Sequence, residues 1–238
     1  MAQTALAPAL GSSDDVCWRG MYQTGAIAAL VTVVLFLVQL IAYFVWPPPS
    51  SVAGHFALLQ ARPFVGLVSL DLFILVDEVL AIPICLALYF SLRRGQASLM
   101  LLATALEGVS ILCFLLGTPA LNMLHLSNQY AVASTSAQKE ALLAVGESLM
   151  WSSALQIGYF VGTLGMLLVG WAMLRSQVFR AAAGYVGILA ALLGFGIYLP
   201  KFGVQLSLLS VVGMQVWYVM IARTLWSLRD DWISPSHR

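Results

Sequence analysis

The sequence predicts an all-α, polytopic membrane protein, in which six transmembrane helices form one bundle and both termini lie in the cytoplasm. Three observations predict this class. Of the 238 residues, 61% are hydrophobic and only 9% are charged, and the mean hydropathy is +0.93. The apolar residues are gathered into runs of about 20 residues or more, which is the length needed to cross a bilayer. Arginine is concentrated in alternate connections between these runs.

The first three predicted spans end at residues that stop helices. The first runs from Met21 to Trp46 and is followed by three consecutive prolines, which cannot continue a helix. The second runs from Phe64 to Leu92 and ends at "RRG". The third runs from Ala97 to Gly117, so a short turn joins it to the second.

The last three spans contain a candidate capping motif and a candidate hairpin. The fourth runs from Leu149 to Leu174, and its helix is expected to begin as early as Ser136 because "TSAQ" resembles a capping box. The fifth, Ala181 to Leu199, and the sixth, Phe202 to Ser227, are separated only by "PK". Such a short connection predicts an antiparallel helical hairpin.

The basic residues predict which ends of the spans face the cytoplasm. In a six-span chain, eight fall on one side: Arg19, Arg93, Arg94, Arg175, Arg180, Arg223, Arg229 and Arg238. Three fall on the other: Arg62, Lys139 and Lys201. Because cytoplasmic connections are enriched in Lys and Arg, both termini are expected inside and residues 47–63 and 118–148 outside. The expected location is the inner (plasma) membrane.

The domain organisation follows from these boundaries. Residues 1–20 are expected to form a disordered cytoplasmic leader, residues 21–227 the transmembrane domain, and residues 228–238 a cytoplasmic tail. The lipid bilayer is the expected main partner. Nucleic acid is excluded as a partner because the longest basic cluster is a pair of arginines. The polar segment 118–147 is predicted to be either a lid or an interfacial helix that covers one end of the bundle.

Two segments also carry a family resemblance. The second span ends in "LALYFSLRR", where a Leu-Tyr pair precedes a basic stop. The fourth span ends in an Arg-Ser pair and is followed by "VFRAAAGYVGILAALLGFGIYLP". On these motifs the chain resembles, over about residues 20–227, a large family of bacterial six-span membrane proteins that is catalogued only as a domain of unknown function. The resemblance implies the topology and a bacterial origin, and it implies no reaction.

Four carboxylates lie inside the second and third predicted spans: Asp71, Asp77, Glu78 and Glu107. A charge at the centre of a bilayer costs about 2.5 to 3.5 kcal/mol on insertion scales, so such residues are candidates for function. Asp71 and Glu78 are seven residues apart and project from nearly the same helix face, whereas Asp77 points about 100° away. We therefore expect Asp77 to contact a different neighbour, in the first or fourth helix, through Gln39 or Tyr159.

The acids have no covalently fixed counter-charge, because no Lys or Arg lies well inside a span. They must therefore be protonated, share protons or hold a cation. This favours a protein that binds or moves a proton, a cation or a small amphipathic solute, with Glu78 and Glu107 as central acids and Asp71 as an outer relay. The supporting polar residues are predicted to be Thr104 and Ser110 beside Glu107, together with Gln39, Gln156 and Tyr159.

Three other interpretations remain open. The acids could be neutral and merely join helices through hydrogen bonds. The chain could be a non-transporting subunit or sensor that packs against a membrane partner, or a homodimer. An intramembrane enzyme is the third possibility, and His55 and His125 with Asp71 or Glu147 would be the candidate zinc ligands, although their spacing does not indicate such a site. The sequence predicts no cofactor and no metal.

Overall fold

The computed structural model describes residues 13–230, and in that range the chain forms helices and no strand. The elements are nine α-helices and one 3₁₀ helix: α1 (Ser13–Val45), α2 (Val52–Ala61), α3 (Pro63–Val68), α4 (Leu72–Gly117), α5 (Ala120–Val132), α6 (Ser136–Met150), α7 (Ser153–Arg175), α8 (Ala181–Gly194), the 3₁₀ helix (Phe195–Tyr198) and α9 (Gly203–Asp230). The predicted all-α class is confirmed.

Several helices have the length and composition of membrane spans. Five stretches of the described chain qualify: Trp18–Val45, Leu72–Val132, Ser136–Arg175, Ala181–Tyr198 and Gln205–Asp230. The second stretch contains α4, which is 46 residues long and has non-helical backbone angles at Gln96 (φ −143°, ψ 40°). When the two parts of α4 are taken separately, the chain has five to six apolar helices long enough to cross a membrane.

The backbone break at Gln96 reverses the direction of the chain. Ala81 and Glu107 line the same small cavity, although a straight helix would hold them about 39 Å apart at 1.5 Å per residue. The two parts of α4 therefore pack against each other as a hairpin. This matches the short turn predicted between the second and third spans.

The long helices close into a ring. α1 packs against α4 and α9, α7 packs between α4 and α8, and α8 packs against α9. Small residues allow some of these helices to approach closely: a methyl group placed on Gly25 of α1 would lie 2.5 Å from the Cβ of Ala87. Buried apolar side chains such as Leu88, Met173 and Leu225 fill the centre.

The two long connections form a second layer of short helices, named here the cap, which consists of α2, α3, α5 and α6. The cap has its own apolar core, formed by Phe56, Leu59, Leu70, Ala120 and Met123. Segment 118–147 therefore folds into α5 and most of α6 and packs on the first connection. The cap lies at the end of the bundle where α1 ends and α4 begins.

Helix α6 begins at Ser136, as the "TSAQ" motif predicts. The Thr135 hydroxyl oxygen accepts a hydrogen bond from the Gln138 N–H at 3.2 Å. In return, the Gln138 side-chain oxygen accepts one from the Ser134 N–H at 3.3 Å. The helix does not continue into the fourth span, however, because α6 ends at Met150 and α7 starts at Ser153.

The end of the bundle opposite the cap, named here the arginine end, carries arginines stacked on aromatic rings. Three sets of contacts mark it: Arg93 over Trp18 and Phe90, Arg175 over Trp171, and Arg229 over Trp226. Amphipathic aromatic rings and basic residues are typical of membrane–water interfaces. The arginine end is the one that the sequence assigns to the cytoplasm, and that assignment remains a prediction.

The chain is helical further toward its termini than expected. α1 begins at Ser13, so residues 13–20 of the predicted disordered leader are helical. α9 continues to Asp230, which includes the first residues of the predicted tail. Residues 1–12 and 231–238, with the rest of both predicted segments and Arg238, lie outside the described residues.

Cysteine labelling in intact cells is expected to separate the two ends. Ser134 lies in the cap and Ser98 follows the break in α4, and both residues are exposed. With the arginine end inside, an impermeant thiol reagent should label Ser134→Cys from outside and leave Ser98→Cys unlabelled until the membrane is opened. Labelling of Ser98→Cys alone would reverse the predicted orientation.

The cap contains a buried histidine whose protonation is disfavoured. His55 is 3% exposed, and its Nδ1 lies 3.5 Å from the Ser69 hydroxyl oxygen. Burial lowers the pKa of His55 below its ordinary value of 6.5, and a hydrogen bond to the Pro49 carbonyl opposes that effect only partly. The neutral ring therefore favours the folded cap.

Acidification is expected to loosen the cap. Because the pKa of His55 is lower in the folded cap than in the unfolded chain, its contribution to stability is present above 6.5 and is lost as the pH falls. Amide hydrogen exchange, corrected for intrinsic rates, should show less protection of α2 about one pH unit below 6.5 than one unit above it. His55→Gln should flatten this difference, whereas His125→Gln, at an exposed position, should preserve it.

Candidate functional site

Glu107 is held against a strip of glycines on α7. A methyl group placed on Gly165 would lie 2.7 Å from Glu107 Oε1, and one placed on Gly162 would lie 2.5 Å from the Ser110 hydroxyl oxygen. Ser110 is buried and donates a hydrogen bond to the Gly158 carbonyl at 2.9 Å. These glycines of α7 thus make room for the polar side chains of α4 inside the bundle.

A cavity of about 40 Å³ lies at the centre of the ring. Its polar lining consists of Cys85, Thr104, Glu107, Trp217 and Tyr218, and its apolar lining includes Ile84, Leu88, Met100 and Val169. These residues come from both parts of α4, from α7 and from α9. The volume suits a few water molecules, because the site is polar and exceeds the roughly 10–15 Å³ that one water needs.

Glu78 does not line this cavity, but it lies within electrostatic range of several ionisable groups. Glu78 and Glu107 are close enough to repel each other electrostatically, and Asp77 also acts on Glu78. Cys85 and Tyr218 lie within electrostatic range of both glutamates. Within the described chain, neither glutamate is paired with Lys or Arg. The described residues therefore provide no counter-charge for the central acids.

Asp71 marks the cap end of α4 and has an unusual backbone. Its φ of 61° and ψ of 36° lie in the left-handed region, and it is the one described residue other than glycine with a positive φ. Aspartate is among the best N-cap residues, yet its side chain makes no capping bond to α4. Instead, it accepts a hydrogen bond from the Tyr43 hydroxyl of α1. Tyr159 of α7 lies within electrostatic range of both Asp71 and Glu78.

Asp77 faces α1, as expected for a residue off the stripe of Glu78, but its neighbour is Thr32 rather than Gln39. The two side chains lie close together, but without good hydrogen-bond geometry. Asp77 Oδ1 and Thr32 Oγ1 are both buried and have no hydrogen-bond partner among the described residues. Unsatisfied buried polar atoms are rare in folded proteins, so each needs an explanation.

The predicted supporting residues divide into two groups. Thr104 lines the cavity, and Ser110 packs beside Glu107. Gln39 is buried in α1 and donates a hydrogen bond to the Val68 carbonyl at 3.1 Å. Gln156, in contrast, is exposed at the start of α7, and it is its backbone carbonyl that accepts a hydrogen bond from Tyr198. The expectation that the Gln156 side chain supports the acids was wrong, because α7 turns that residue outward.

Sequence reasoning missed several residues of the site. Cys85 was not singled out among its apolar neighbours, and Trp217 and Tyr218 lie on a span without acids. Tyr43 and Thr32 were overlooked, although a signal was present. Thr32, Gln39 and Tyr43 follow one another at intervals of seven and four residues, which places them on one face of α1.

The two histidines of the described chain do not build a metal site. No group of three or more His, Cys, Asp or Glu side chains comes close enough to hold a metal within residues 13–230. His125 is exposed and contacts Gln129 in the next turn of α5 at 3.0 Å. His55 lies in the cap and contacts Ser69.

Comparison with known proteins adds no relative. No family model, no curated protein and no solved structure matches the chain. The resemblance to the bacterial six-span family therefore remains a prediction.

Proposed function

We propose that this protein binds and exchanges a proton at Glu107 and Glu78 inside a bacterial inner membrane, with Asp71 as the outer relay. The observation that carries the proposal is the central cavity, where Glu107 lies beside Thr104, Tyr218 and Cys85 and has no cationic partner among residues 13–230. Such a site accommodates a proton readily, because protonation removes the cost of an unpaired charge in an apolar bundle.

The size of the cavity favours a proton over a larger solute. A volume of about 40 Å³ suits a few water molecules, whereas pockets for drug-sized ligands measure roughly 300–1,000 Å³. An amphipathic solute would require the ring of helices to open. A proton can pass along a chain of neighbouring hydrogen-bonding groups, so its movement does not require the helices to separate.

The proposed exchange uses ordinary carboxylic-acid chemistry. A protonated carboxyl group releases one proton to water or to a neighbouring carboxylate and becomes a carboxylate itself. Glu78 and Glu107 repel each other when both are charged, so the site favours at least one bound proton. Tyr159 lies within electrostatic range of both Asp71 and Glu78, and it provides a hydroxyl group near the cap end of the bundle.

Reconstituted vesicles test the proposal. Wild-type protein in vesicles that contain a pH dye should respond to an imposed pH gradient, and Glu78→Gln should reduce that response because an amide cannot exchange a proton in this way. Gradients of Na⁺ or K⁺ at constant pH form the control arm. Absence of any wild-type response to pH, in either orientation and with either cation gradient, would overturn the proposed function.

A further inference from the structure

The inner face of α1 carries a polar stripe toward α4. Its members are Thr32, Gln39 and Tyr43. Tyr43 contacts Asp71 at the start of α4, Thr32 contacts Asp77 six residues later, and Gln39 contacts the Val68 carbonyl at the end of α3. The contacts of Tyr43 and Thr32 show that α1 and α4 run antiparallel along the stripe. The boundary between the two helices is named here the α1–α4 seam. At 1.5 Å per residue, it extends about 16 Å from Tyr43 to Thr32.

Polar atoms in the seam lack partners at two depths. Gln39 is 9% exposed and uses its Nε2 to bind the Val68 carbonyl, but its Oε1 has no hydrogen-bond partner in the described part of the chain. Thr32 is 5% exposed, and its Oγ1 is likewise unsatisfied beside the unsatisfied Asp77 Oδ1. The seam thus contains two side chains that are at least nine-tenths buried, Thr32 and Gln39, together with the carboxylate of Asp77.

The outer end of the seam reaches the base of the cap. There, Tyr43 donates its hydroxyl hydrogen bond to Asp71, and Gln39 lies close enough to interact with the same tyrosine. At the inner end, Asp77 is the neighbour of Glu78 in sequence and acts on it electrostatically. The unsatisfied atoms therefore lie between the outer relay and the central acids.

We propose that a file of water molecules occupies the α1–α4 seam and connects Asp71 at the base of the cap with Asp77 beside Glu78. The inference rests on the proposed function and specifies the route by which protons reach the site. Water is the ligand that fits, because it donates to Gln39 Oε1 and Asp77 Oδ1 and both donates to and accepts from the Thr32 hydroxyl. A hard metal cation takes about six or more oxygen ligands. Among the described residues, neither the level of Gln39 nor the level of Thr32 and Asp77 provides that many.

The exposed side of α1 provides matched controls. Val31 and Val38 are the sequence neighbours of Thr32 and Gln39, and they are 38% and 44% exposed on the outside of the bundle. Each control residue thus lies at nearly the same depth as its partner. In a membrane it faces lipid, whereas Thr32 and Gln39 face the seam.

Silver ions test the route, because they are small, reach positions connected to water and bind thiolates. Thr32→Cys, Gln39→Cys, Val31→Cys and Val38→Cys are each reconstituted in vesicles and exposed to Ag⁺ from the cap side in chloride-free buffer. The protein is then unfolded and alkylated, and the peptide masses report which thiol silver blocked, so the native cysteines are counted separately. Thiols are blocked as thiolates, so the two seam positions should react more than about tenfold faster than the two lipid-facing ones.

The possible outcomes distinguish the route from the function. Equal, slow blocking at all four positions overturns the water file, even if the wild type exchanges protons. Fast blocking at the seam supports it, even if the vesicle assay overturns the proposed function. If Gln39→Cys does not fold because it loses the bond to Val68, Thr32→Cys alone decides, since cysteine and threonine have similar size.

Discussion

Replacing Glu107 by glutamine is expected to abolish proton exchange by the reconstituted protein while leaving the fold intact. The amide has nearly the shape of the carboxyl group and fits the space opposite Gly165 and Gly162. It also keeps the hydrogen-bonding capacity needed toward the cavity, but it does not ionise. A fully lost rate with unchanged thermal stability would therefore assign a proton-carrying role to Glu107.

The control for this change is Glu147→Gln. Glu147 is an exposed acid of α6 in the cap, so its replacement removes one negative charge without touching the cavity. Its rate of proton exchange should match that of the wild type. If Glu107→Gln also keeps the wild-type rate, Glu107 only joins α4 to α7, and the cavity is not the exchange site.

The largest effect on stability is expected from Gly184→Ala, at the contact between α7 and α8. A methyl group at Gly184 would lie 2.8 Å from the Gly170 carbonyl oxygen and 2.7 Å from Leu174. Because a backbone carbonyl cannot rotate away, the two helices must separate, at a cost of about 1–3 kcal/mol, which is typical of overpacking. Thermal unfolding in detergent should show a lower midpoint than for the wild type.

Gly108→Ala is the matched control for this change. Gly108 also lies inside a helix, α4, but no described atom beyond its own chain neighbours and the adjacent backbone of its helix lies within 4 Å of the methyl group that alanine adds. Alanine favours helix over glycine by about 0.5–1 kcal/mol, so the unfolding midpoint should stay the same or rise. Equal losses in both variants would mean that helix flexibility, and not the close contact of α7 with α8, explains the effect.

The positions of the helices were largely predictable from the sequence, because apolar length and helix-stopping residues are local signals. The prolines after Trp46 and the "TSAQ" motif before Ser136 each mark a boundary that the structure has. The cap was harder to predict. Phe56 and Met123 form its core together, and nothing in either short segment indicates a partner that is about 70 residues away in sequence.

The neighbours of the acids were less predictable, because they depend on how each helix is rotated about its own axis. Spacing correctly separated Asp77 from Glu78, but it could not choose between Gln39 and Thr32 as the partner in α1. That choice follows from the close approach at Gly25, which fixes the register of α1 on α4. For the same reason, the sequence did not show that the Gln156 side chain points outward, because the packing of α7 sets the direction of that side chain.

The long-range pairing within the cap has a consequence for biosynthesis. Chains emerge from the ribosome with the N-terminus first, so α2 leaves before its partner α5 exists. Until both parts of α4 have been inserted, Phe56 and Leu59 lack the part of the cap core that α5 supplies, Ala120 and Met123. Completion of the cap is therefore a late event that depends on correct insertion of the hairpin between its halves. A chain that inserts this hairpin wrongly leaves the cap open, and its apolar residues exposed to quality-control proteases.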